Sequence, residues 1–157
     1  MNFLKPLICF IVTGVAIVLS GCMNTKYYEN FTSSIDDTTW VPLYVQGQES
    51  VNIPSTTREN LEAFLHLINR GYGRYVINGR GGVNNFTGSM DIRDDQTIVF
   101  APLATTLKMG THYAYEAKFI AALREVERAE VTGDTMILYK MAGANKVVLM
   151  KLQKLVR

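Results

Sequence analysis

The chain has 157 residues, 48% of them hydrophobic and 19% charged, with a formal net charge of +2. That length bounds it to one ordinary domain, and the composition excludes a disordered or low-complexity chain. The near-balanced charge shows no basic stripe and excludes an electrostatic surface for nucleic acid.

The N-terminus carries the clearest pattern. Lys5 precedes an apolar run from Leu7 to Leu19, interrupted only by Thr13 and Gly14. A membrane-spanning helix needs about 20 residues, so this shorter run has the shape of an export signal. It ends in Leu19-Ser20-Gly21-Cys22. Small residues before a cut suit an extended chain in a peptidase cleft, and a thiol is the side chain that forms a thioether to a diacylglyceryl group. These four residues resemble the lipobox of bacterial lipoproteins. The resemblance implies removal of residues 1–21, lipid on Cys22 and attachment to an envelope membrane. Met23 stands where lipoproteins retained at the inner membrane commonly have aspartate, which favours the outer membrane, facing the periplasm. The other cysteine, Cys9, leaves with the signal, so the mature domain keeps no thiol for a disulfide.

From Met23 to about Thr38 the chain is polar and is expected to be a flexible tether, so that residues 22–38 form a lipidated linker and 39–157 the domain. Thr39 to Val45 is rich in β-formers and is expected to be a strand, with Pro42 pointing to an edge position or a strand start. Thr56 and Glu59 form a capping-box pattern, and Leu61, Phe64, Leu65 and Ile68 follow at helical spacing before Gly71. This predicts a helix from Thr57 to Arg70. Arg74 to Ile77 reads as a strand and Asn78 to Asn85 as a glycine-rich turn. Phe86 to Ile92 and Thr97 to Phe100 read as strands about a turn at Arg93 to Gln96, and Pro102 to Thr111 as a connection. A second helix is expected from Tyr113 to Arg128, with Tyr115, Phe119, Ala122, Leu123 and Val126 on one face. Ala129 to Thr132 and Thr135 to Tyr139 form a hairpin about Gly133-Asp134, and Lys146 to Leu155 is the last strand. The fold class is α+β: one domain, a curved antiparallel sheet, and two helices packed on one side or end.

Gly82-Val83-Asn84-Asn85-Phe86-Thr87-Gly88 resembles the glycine-Cys-Asn-x-Phe-x-glycine turn of META domains, the HslJ-type envelope proteins. Gly82, Asn84, Phe86 and Gly88 carry that match. Thr105-Thr106-Leu107-Lys108-Met109-Gly110 is similar to the Thr-x-Met segment before the family's helix, and the helix with Glu116, Phe119 and Leu123, then the Gly133 hairpin and Leu138, is similar too. The similarity spans roughly Trp40 to Leu149. Where the family often carries two cysteines, this chain has Val83 and, near the second position, Thr111; both being absent implies that a family disulfide is missing here. The resemblance implies an α+β envelope domain without established catalytic activity, linked with stress response and antibiotic tolerance.

Candidate sites are few. His112 and Glu116 lie four apart at a helix start and could face one metal ion, although zinc would need a further ligand; His66 is the only other histidine. The bland reading is a helix-start pair with Glu116 favoured by the helix dipole. Gly79-Arg80-Gly81-Gly82 could cradle an anion, but it leads into a strand rather than a helix, so a turn is the better reading. Asp91, Asp94 and Asp95 surround a hairpin turn without a calcium-loop pattern. No cofactor and no catalytic residue is expected. The leading expectation is a non-enzymatic interaction module, contacting the membrane through the lipid on Cys22 and either an envelope protein or a small hydrophobic compound. The alternatives are a metal-dependent hydrolase using His112 and Glu116, and a purely structural, stress-protective lipoprotein.

Overall fold

The computed structural model describes residues 29–48, 54–57 and 60–156. The signal sequence, the lipobox with Cys22, and Glu59 lie outside them. Nine strands form one sheet: β1 (Thr38–Val45), β2 (Ala63–Asn69), β3 (Arg74–Gly81), β4 (Asn85–Ile92), β5 (Ile98–Phe100), β6 (Ala104–Thr105), β7 (Arg128–Thr132), β8 (Thr135–Ala142) and β9 (Asn145–Lys154). The spatial order is β5-β4-β3-β2-β1-β9-β8-β7, with β6 paired to β4. Every pairing is antiparallel. The sheet curls into a half-barrel, and its two edges are bridged where the Ile98 N–H donates to the Glu127 carbonyl at 2.8 Å.

Among the described residues two helices accompany the sheet: α1 (29–35) and α2 (Tyr113–Glu125). Helix α2 turns Tyr115, Phe119, Ala122 and Leu123 into the core, the face its 3.6-residue periodicity predicts. It meets Trp40, Leu65, Ile77, Phe86 and Leu149 from the inner face of the sheet in one continuous cluster. Burial pushes the Tyr115 hydroxyl well above its ordinary pKa, so it stays neutral.

The helix expected from Thr57 to Arg70 is not formed. Ala63–Asn69 is strand β2, in register with β3 along its whole length from Ala63↔Gly81 to Asn69↔Tyr75. Ala63, Leu65 and Leu67 point inward at period two, while Phe64, His66 and Ile68 are half-buried on the outer face. A short run with apolar residues on both faces satisfies either period, and pairing on both sides, to β1 and β3, decides for the strand. Thr56, expected to cap the helix, instead bridges Leu61, and the neighbouring Thr57 Oγ1 accepts the Asn60 N–H at 3.2 Å within a bend. Gly71, expected to end the helix, has φ 80° in the β2–β3 hairpin, beside Tyr72 and Gly73, which also have positive φ.

The boundary expected at Thr39 falls inside the folded unit. Residues 29–35 are helical rather than tether, and Phe31 and Ile35, four apart, are buried in the core. Thr32, Ser33 and Ser34 return their hydroxyls to carbonyls three or four residues back. Pro42 is neither at an edge nor at a strand start: β1 lies between β2 and β9. The register of β1 against β9 shifts between Pro42 and Tyr44, so the proline sits at an irregularity where a missing N–H is tolerated. The connection Pro102 to Thr111 contains the short strand β6, and the helix expected to reach Arg128 stops at Glu125.

Candidate functional site: the Asn84 turn and its flanking groove

Strands β3 and β4 are joined by Gly82, Val83 and Asn84, and the motif glycines each answer a steric demand. Gly82 has φ +121°, and a Cβ there would lie 2.9 Å from both the His112 Cβ and the Pro54 Cγ. A Cβ on Gly81 would come within 2.6 Å of the Glu116 Cγ, and one on Gly88 within 2.7 Å of the Leu103 Cδ2. The turn is therefore pressed directly against the start of α2 and the chain leading to β6.

That close approach builds a buried polar cluster. Glu116, 7% exposed, faces the turn from the first turn of α2. Its Oε2 accepts the backbone N–H groups of Val83, at 3.0 Å, and of Asn84, and its Oε1 accepts the Asn84 side-chain amide at 2.7 Å. Asn84, 3% exposed, relays the hold outward. Its Oδ1 accepts the Thr106 hydroxyl and the Lys108 N–H, both at 2.7 Å, and its Nδ2 also donates to the Lys108 carbonyl at 3.0 Å. One glutamate and one asparagine thus fasten three segments: turn, helix and the 105–109 strand exit. Phe86 completes the motif from below, 3% exposed, with its ring centroid 5.8 Å from that of Phe119.

The two residues that could have faced one metal ion diverge. His112 Nε2 lies 3.6 Å from Glu62 Oε2, while Glu116 is committed to the turn. Among the described residues no group of three histidine, cysteine or acidic side chains is placed to hold a metal ion. His66 lies on the outer face of β2, its Nδ1 2.9 Å from Thr39 Oγ1. Gly79 and Gly81 face inward within β3, packed on Phe86 and Glu116, so the glycine run does not cradle an anion. Asp95 caps its own turn by accepting the Thr97 N–H at 2.9 Å, a bond that holds its carboxyl below the usual range; Asp91 sits in β4. Val83 lies against Gly110, where a Cβ would be 3.0 Å from Val83 Cγ1, so the turn also packs on the residue before Thr111.

Sequence reasoning did not single out what flanks the cluster. Leu107 is 96% exposed and Met109 83% exposed, on a segment that Asn84 pins by both faces of Lys108. Between this segment and the outer stripe of α2, formed by the exposed Tyr113, Ala117 and Arg124 with the buried Ile120 beside them, runs a groove of about 350 Å³. The signal was present: two large apolar residues in a non-periodic stretch ending in glycine.

A half-barrel around one helix, closed at the asparagine turn by a buried glutamate, defines a class of small domain by its motif. The META domain model matches residues 33–154, and the chain belongs to that family. Among solved structures, a DUF4847 family protein from Bacteroides vulgatus is similar over 79% of this chain and 95% of its own, with 14% identity and a TM-score of 0.44. A search of curated proteins gives no match.

Proposed function

We propose that this chain is a non-enzymatic, lipid-anchored interaction module of the bacterial envelope, tied to the outer membrane through Cys22 and binding through the face that carries Leu107, Met109 and Tyr113. The observation that supports it most is the combination of exposure and fixation on that face. Large apolar side chains left in water on a segment pinned by buried hydrogen bonds cost free energy without relief from local packing, the signature of a surface kept for contact. The chemistry-bearing pair Glu116 and Asn84 is engaged in fastening the fold, which favours binding over turnover. A role in envelope stress or antibiotic tolerance is the physiological setting this reading fits.

Two measurements test it. Cys22→Ser is expected to abolish incorporation of labelled fatty acid and leave uncleaved precursor; normal maturation would sink the anchoring. A photo-crosslinking residue at position 107 of the lipidated protein in intact cells is expected to capture an envelope component, while one at the exposed Tyr72 does not. Equal, featureless labelling at both positions would count against a dedicated face.

A further inference from the structure

We infer that the groove between the 105–109 segment and the outer stripe of α2 is a binding site for an anionic, single-chain amphiphile, an acyl or alkyl chain ending in a carboxylate, sulfate or phosphate. The inference deepens the interaction reading above and rests on that same face being a binding surface.

The groove is two-sided in character. Its apolar wall is Leu107 and Met109 on one side and Tyr113 and Ile120 on the other. The groove is also lined by two cations, Lys108 and Arg124, the latter in the last turn of α2 and seven and eleven residues along the same helix face from Ala117 and Tyr113. Among the described residues neither cation has an ion-pair partner: the pairs formed are His112–Glu62, Lys140–Glu125 and Lys146–Glu130. The single acid in the wall is Glu116, and both of its oxygens are already taken by Val83 and Asn84 donors. A volume of about 350 Å³ lies within the usual range for small-molecule sites, about 300–1,000 Å³. Two unpartnered cations beside an apolar slot complement a ligand with one negative head and one hydrocarbon tail.

The test is calorimetric titration of the chain lacking residues 1–21; the core of the described residues runs between Phe31 and Leu152. The probes share a twelve-carbon chain and differ in head: laurate, dodecyl maltoside and dodecyltrimethylammonium, each below its micellar concentration. Laurate is expected to bind saturably at one site and the cationic probe at least about tenfold more weakly, the loss of one charge-assisted contact. Arg124→Gln and Lys108→Gln should each weaken laurate by roughly that factor and leave the maltoside unchanged. Leu107→Ser should weaken both. All three residues are exposed, so an unaltered urea midpoint verifies the fold of each variant. Equal binding of the three heads, or laurate binding indifferent to these substitutions, overturns the inference. So does laurate failing to bind while the protein sediments with phosphatidylglycerol vesicles, which would make the face a bilayer contact. Failure of all probes with an intact envelope cross-link at position 107 removes the amphiphile and leaves the interaction module standing.

Discussion

Replacing Glu116 by alanine is expected to lower the stability of the domain by about 3 kcal/mol or more, read as a fall in the urea midpoint at unchanged slope. Three donors lose their acceptor together: the Val83 and Asn84 backbone N–H groups and the Asn84 amide. Each buried donor left unmade costs about 1–3 kcal/mol, and water reaches the site poorly because Asn84 is 3% exposed. Glu116→Gln separates the causes. It keeps one oxygen for the two backbone donors but sets an amide N–H₂ against the amide of Asn84, so it should lose less than alanine and still fall below the native chain. A Glu116→Ala protein as stable as the native one would mean that the turn is held by packing alone.

Phe86→Ala should cost about 3–5 kcal/mol, at the upper end of that range. The cost of an aromatic deletion depends on whether the surroundings can collapse into the void, and here they cannot. The ring lies directly over Gly79, so close that a Cβ there would be 2.2 Å from the Phe86 Cζ and 2.4 Å from the Phe64 carbonyl oxygen. The floor of the cavity would be sheet backbone, which has no side chain to move, and its wall is Phe119. Phe86→Leu should recover much of the loss by refilling the space. An unchanged urea midpoint in Phe86→Ala would contradict the packing of β4 on β3.

What the residues disclosed in advance follows a physical line. Helix α2 was legible because five apolar side chains recur on one face over three turns. The first half of β3, strand β4 and the Gly133 hairpin were legible because alternation and turn chemistry agree locally; Asn78 to Gly81, expected in a turn because of their glycines, continue β3 instead. Strand β2 was not, since Leu61, Phe64, Leu65 and Ile68 imitate a helical stripe and only partners distant in sequence select the other period. Helix α1 was hidden for the opposite reason: Phe31 and Ile35 are its two buried anchors, in a stretch of asparagine, serine and threonine that reads as linker. In the site, the motif Gly82, Asn84, Phe86 and Gly88 was visible as a pattern, but the union of Asn84 with Glu116 and Lys108 depends on a turn meeting a helix more than twenty residues later. His112 and Glu116 illustrate the limit of spacing arguments, because neighbours on a helix can point to different tasks.

The order of the strands has a kinetic side. Strand β1 pairs with β9 at the middle of the sheet, with Trp40 opposite Lys154, so the first and the last of the described strands are partners. A chain synthesised from its N-terminus presents β1 to β4 while one flank of β1 has no strand to receive it. The half-barrel cannot close until β9 has been made. Sheets dominated by such non-local pairings fold slowly, on the scale of milliseconds to seconds. For that interval the inward faces of Trp40, Leu65 and Ile77 stand open beside an unpaired strand, the condition in which a nascent domain is most in need of a holding chaperone.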